Sequence, residues 1–158
     1  MGTPSQKYFL TQESKRKLEG INPRLAEIVK LAISISDIEF QVLEGTRTRK
    51  KHELYYSKGV TQDLSHSTHL YGHAVDLICY IGGRIVLEYE PYLDVAECMK
   101  IAATELEVPL TWGGAPQCDD LTKYNGFLQD LTEEYIDLKR GRGRFPLIEA
   151  HHFELSIE

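Results

Sequence analysis

Residues 74–89 read AVDLICYIGGRIVLEY. Two apolar, β-branched runs flank Gly82-Gly83, and a pair of glycines suits the two central positions of a tight hairpin turn. Along the first run, alternation sends Ala74 and Asp76 to one face and Val75, Leu77 and Cys79 to the other. The second set belongs against a core. The first places a carboxylate beside a small residue, so the same strand floors a polar cleft.

Outward from this hairpin the chain alternates short helices and strands. In TQESKRKLEGINPRLAEIVKLAISIS, Thr11 can cap a first helix that Gly20 ends, and Pro23 sits near the start of a second. Leu25, Ile28, Val29 and Ala32 give that second helix one apolar face. EFQVLEG (39–45) alternates as a strand, and RKKHELYYSKG (49–59) reads as a helix stopped by Gly59. A helix is expected over 92–107, with Val95, Met99, Ala102 and Leu106 on its buried side. PLTWGG (109–114) and AHHFELSI (150–157) read as the remaining strands. Between them, Asp130 and Glu133 resemble a capping box, followed by a helix that faces Phe127, Leu131, Tyr135 and Leu138 inward and ends at Gly141. The reading is one α+β domain over residues 1–158, a small antiparallel sheet with flanking helices.

A chain of 158 residues suits one domain. Its net charge of −6, with the acids scattered, argues against nucleic acid as a partner. The basic clusters at 47–51 and 139–144 are short and read as solvated faces. Three cysteines, Cys79, Cys98 and Cys118, are too few and too far apart for a disulfide framework or a Cys-rich metal site. They read as reduced thiols. No apolar run approaches membrane-spanning length, and MGTPSQKYFL lacks a secretory pattern. A monomer made in a cytoplasm is expected, released by something else if its target lies outside.

Three of the six histidines fall within SHSTHLYGHAVD (65–76). A turn at Gly72 lets a loop histidine, His69, meet the strand carboxylate of Asp76. A catalytic zinc commonly takes three protein ligands and keeps one position open. IEAHHFEL (148–155) offers the third, His151 or His152. Two imidazoles and one carboxylate leave such a site net positive, which favours water ionisation and carbonyl polarisation. Glu149 is then placed as a base that does not bind the metal. His66 and His73 read as surface or hydrogen-bonded histidines.

STHLYGHAVD (67–76) resembles the Ser-x-His-x-x-Gly-x-Ala-x-Asp signature of the D-Ala-D-Ala carboxypeptidase and dipeptidase family, whose fold is shared with the hedgehog signalling domain. EAHHFEL (149–155) resembles that family's second signature. LEGINPRLAEIVKLAI (18–33), FQVLEGTRT (40–48) and LTWGG (110–114) are similar to the branch of phage endolysins that are L-alanyl-D-glutamate endopeptidases. The resemblance implies zinc held by His69, Asp76 and His152, the last chosen over His151 because it immediately precedes Phe153. It implies Glu149 as catalytic acid/base, where the branch more often has Asp, and Arg47 as the group that holds the substrate carbonyl as it becomes an oxyanion. Ser67 either hydrogen-bonds substrate or caps its loop, and Trp112 is either core or a substrate platform. The segment 115–148 is longer than the family spacing, so an insertion is expected there, as a lid or as a spectator.

The implied activity is hydrolysis of the peptidoglycan stem peptide, at L-Ala–D-Glu, by a phage lysin. The alternatives are a D-Ala-D-Ala carboxypeptidase or dipeptidase on the same scaffold and a non-enzymatic, hedgehog-like zinc module. A His-rich nuclease is disfavoured by the acidic balance.

Overall fold

The computed structural model describes residues 5–45, 72–143 and 148–156. The chain runs α1 (Gln12–Leu18), α2 (Pro23–Ile35), β1 (Glu39–Glu44), β2 (Ala74–Ile81), β3 (Arg84–Val86), α3 (Tyr89–Glu105), β4 (Leu110–Trp112), a 3₁₀ turn (Leu121–Lys123), α4 (Leu128–Gly141) and β5 (His152–Leu155). The helix read over 49–59 lies outside the described residues.

Local sequence explains most of these boundaries. Thr11 accepts from the Ser14 N–H and starts α1, while Asn22 caps α2 with Pro23 in its first turn. Gly82 and Gly83 take φ of 59° and 79°, the positive pair that a hairpin between β2 and β3 requires. Two expectations fail. β3 stops at Val86, because Glu88 already occupies the cap position of α3, and α3 accepts Pro91 within its first turn, where a missing N–H costs no helical bond. α4 does not start on an Asp130 capping box either. Its cap position is Phe127, and the Leu128 N–H donates instead to the Glu97 carboxylate of α3. Leu128, Leu131, Thr132 and Tyr135 are its buried residues, whereas Phe127 and Leu138 are exposed.

The sheet is antiparallel, in the order β1-β2-β5-β4. β2 is its long axis: Ala74–Asp76 pair with β5, and Cys79–Ile81 pair with β3 along the same edge. Phe40, Val42, Val75, Leu77, Cys79, Leu110, Trp112 and Phe153 form the core face. They join Leu25, Ile28, Val29 and Ala32 of α2 and Val95, Met99, Ala102 and Ala103 of α3 in one apolar cluster. A fully buried Leu, Ile, Val or Met contributes about 1.5–3 kcal/mol, so this face carries most of the fold's stability. Burial pushes the Cys79 thiol up to about 12 and raises Cys98 and Cys118, so all three behave as small packing groups rather than nucleophiles.

Polar contacts tie α1 to the opposite face. Gln41, aligned with Ile78 and so on the Asp76 side of the sheet, accepts from Ser14 Oγ at 2.7 Å and the Thr11 N–H at 2.9 Å. Its own amide donates to the Phe9 carbonyl at 3.0 Å. These partners satisfy the buried amide on both ends and fix where the N-terminal segment lies.

Candidate active site

Asp76 and His152 stand directly opposite each other in the β2–β5 pairing. Residues 76 positions apart in sequence therefore meet at side-chain level: His152 Nδ1 lies 2.9 Å from Asp76 Oδ1. Both side chains are largely enclosed, at 16% and 14% exposure. As the alternation of β2 requires, Asp76 shares its face with the buried Ala74, while Val75 and Leu77 enter the core.

Two irregularities frame the pair. The register of β1 shifts between Val42 and Glu44, which leaves Leu43 bulged out and sets Glu44 opposite Asp76. Bulges bend a strand and re-aim its side chains, and here the bend falls beside the carboxylate. Before β2, Gly72 has φ of 74° and its carbonyl accepts from the Asn22 N–H, so the chain turns into the strand against the α1–α2 link. A Cβ at Gly72 would lie 2.7 Å from the Gly20 carbonyl oxygen.

The histidine is electrostatically loaded. Burial works to lower its pKa, but the Asp76 and Glu154 carboxylates outweigh that effect through hydrogen bonding and charge, and raise it from 6.5 to about 10. Glu154 Oε1 is 3.6 Å from His152 Nε2, so the ring has a carboxylate at each nitrogen. A cation arriving at either nitrogen displaces a proton.

Glu149 lies one turn before His152. Its N–H donates to the Gly113 carbonyl at 3.3 Å, its carbonyl accepts from the His152 N–H at 3.0 Å, and the Gly113 N–H donates to the His152 carbonyl at 2.8 Å. The backbone is thus fixed while the carboxylate is exposed. His151, by contrast, lines an apolar groove with Leu87, Tyr89 and Tyr92 rather than joining Asp76.

Of the two alternatives for Trp112, the structure takes the core. The residue shares a register pair with Phe153 on the core face, is completely buried, and stacks on Phe153 and Tyr89. No ring face is left to serve as a substrate platform. Its indole N–H donates to the Ala150 carbonyl at 2.8 Å, which supports the turn between Glu149 and His152 from beneath.

Arg47, Ser67 and His69 lie outside the described residues. Among the described residues, no three His, Cys, Asp or Glu side chains form a metal-holding group. Of the segment 115–148, the described part supplies the 3₁₀ turn and α4. It is moored by Tyr89 Oη to Thr132 Oγ1 at 2.8 Å and by Lys100 Nζ to the Tyr124 carbonyl at 2.6 Å.

Sequence reasoning passed over Glu154 and the close packing of Gly113 against the Glu149–His152 turn. A Cβ at Gly113 would lie 2.3 Å from the Glu149 carbonyl oxygen, 2.9 Å from Glu149 Cβ and 3.1 Å from His152 Cβ. Gly113→Ala must therefore push the Glu149–His152 turn away from β4. Activity is expected to fall about 10–100-fold, since displacements on the order of 1 Å at a reacting group cost that much. Gly141→Ala, at a position with nothing within 4 Å, should leave turnover unchanged. Steady-state rates with a circular-dichroism check decide it; a fully active Gly113→Ala would show that the turn has slack.

A small antiparallel sheet that sets an imidazole and a carboxylate side by side over its polar face agrees with the peptidase fold that the sequence resemblance implies. The family model for phage L-alanyl-D-glutamate peptidases matches residues 6–133, and the chain belongs to that family. It is 28% identical over 105 residues to the L-alanyl-D-glutamate peptidase of Escherichia phage T5, a match spanning 65% of this chain and 77% of that one. The crystal structure of the Serratia marcescens L-Ala D-Glu endopeptidase ChiX is similar at 26% identity and a TM-score of 0.70, over 96% of this chain and 91% of the other. The family match ends before Glu149 and His152, whereas the structural likeness takes in nearly the whole chain. The protein is thus a peptidoglycan-cleaving peptidase of the phage endolysin type, and the reading as a non-enzymatic module falls away. Among the described residues no helix is long and apolar enough to cross a membrane.

Proposed function

We propose that this chain is a zinc endopeptidase that cuts the L-Ala–D-Glu bond of the peptidoglycan stem, acting as a lysin once released from the host cytoplasm. His69, Asp76 and His152 hold the zinc, Glu149 is the acid/base, and Arg47 steadies the oxyanion. One observation carries the reading: the 2.9 Å approach of Asp76 Oδ1 to His152 Nδ1 across the β2–β5 pair.

The donor chemistry fits the metal. A carboxylate oxygen and an imidazole nitrogen are both first-choice zinc ligands, so the enclosed pair Asp76 and His152 would hold the ion from two neighbouring strands. When bound, zinc supplies Lewis-acid polarisation of the scissile carbonyl and makes water more acidic.

The chain's own groups do the rest. Glu149, on a fixed backbone with an exposed carboxylate, accepts a proton from the attacking water and returns it to the departing D-Glu amine. Arg47 places positive charge where the carbonyl oxygen gains electron density. An endopeptidase requires a cleft open at both ends, because the glycan-linked residue lies on one side of the bond and the remaining stem on the other.

Mass spectrometry of purified muropeptides after digestion tests the bond. The expected products are stem peptides with a free D-Glu amino terminus, with L-Ala left on the muramyl lactyl group. Release of free D-Ala alone, with L-Ala–D-Glu intact, would move the chain to the carboxypeptidase branch.

A further inference from the structure

We infer that Glu154 is a positioning residue for His152, holding the imidazole through Nε2 so that Nδ1 is the nitrogen presented beside Asp76. The inference rests on the zinc reading above and deepens it.

The register makes the case. Asp76 sits across the strand pair from His152, and Glu154 is two residues further along β5, so all three share one face. The ring lies between the two carboxylates, with Nδ1 at 2.9 Å from Asp76 Oδ1 and Nε2 at 3.6 Å from Glu154 Oε1. Glu154 has small neighbours on both sides. Ala74 is opposite it on β2, and Thr111 is opposite it on β4, with a hydroxyl that donates to the Asp119 carbonyl at 2.8 Å. Neither neighbour blocks the carboxylate from reaching the ring.

A ligating neutral imidazole has one lone pair for the ion and one N–H that needs an acceptor. With Nδ1 given to the ion, the remaining N–H would be at Nε2, which faces Glu154 and not Asp76. Glu154, at an ion-pair distance of 3.6 Å from Nε2, is the carboxylate placed to become that acceptor as the gap closes to hydrogen-bond length. This is the orienting carboxylate that metal-bound histidines commonly use, and its loss typically weakens metal binding 10–100-fold. The competing arrangement would put the ion between Nε2 and Glu154. It is disfavoured because that contact is the longer of the two and Glu154 is the more exposed carboxylate, at 28% against 14%.

Chelator-competition titration of the full chain with zinc, together with ¹⁵N–¹H NMR of the His152 ring in the zinc-loaded protein, decides it. Glu154→Ala should weaken zinc binding 10–100-fold, and Glu154→Gln, whose amide oxygen still accepts, should stay within a few-fold of wild type. Wild type should show a metal-bound Nδ1 and a protonated Nε2. Unaltered affinity in Glu154→Ala, or a metal-bound Nε2, overturns the assignment while the zinc reading stands. A wild-type chain that takes up no zinc overturns both. If Glu154→Ala fails to fold, the wild-type NMR spectrum still decides.

Discussion

Glu149→Gln should keep the fold and the zinc and lose roughly 10²–10⁴ in turnover, the usual contribution of a positioned acid/base. The structure makes this a clean substitution. Backbone groups fix the residue, through its bonds to Gly113 and His152, and its carboxylate is exposed, so an isosteric amide disturbs no packing. What the amide cannot do is accept a proton from water and deliver it to an amine. Glu149→Asp should be a milder defect, since the endolysin branch that the sequence resembles more often carries Asp there. The informative contrary outcome is loss of metal from a folded Glu149→Gln chain. That would make Glu149 a ligand and leave the general base unassigned.

Removal of zinc should abolish activity and lower the melting temperature together. A ligand bound only by the folded state stabilises it by RT ln(1 + [L]/Kd), about 4 kcal/mol when free zinc exceeds Kd a thousandfold. Metal analysis should find one zinc per active chain. His152→Ala should bind none, and it also leaves the enclosed Asp76 carboxylate without the imidazole now 2.9 Å away, so that variant should melt early even without metal. Full activity in rigorously metal-free protein would end the proposal. So would a His69→Ala variant with undiminished zinc content.

The parts of this molecule legible in sequence are those set by neighbours along the chain. The positive-φ pair at Gly82-Gly83, the Thr11 cap and the apolar stripe of α2 each follow from a few adjacent residues. Strand parity likewise separated Asp76 from Leu77 and aimed the carboxylate away from the core. The start of α4 was not legible, because its cap comes from Glu97, on a different helix. Asp130, which resembled the cap, lies within the first turn instead. Trp112 was left undecided between core and cleft, although it has the parity of Leu110, a buried residue two positions earlier. Parity also carried the signal for Glu154, two residues after His152 on one strand. The crowding at Gly113 had none, since it exists only once β4 and the 149–152 turn are brought together.

The place of β5 in the sheet has a consequence for timing. His152–Leu155 is the last of the described strands in sequence, yet it lies between β2 and β4, which precede it. Until it inserts, β2 and β4 have no shared partner, and Asp76 has no imidazole opposite it. A chain that emerges from the ribosome with its N-terminus first can collapse its helices onto β1, β2 and β3 early, but the Asp76–His152 pair must wait for a contact across 76 residues. The Asp76–His152 pair therefore forms together with the closure of the sheet, when β5 joins β2 to β4 and Phe153 enters the core.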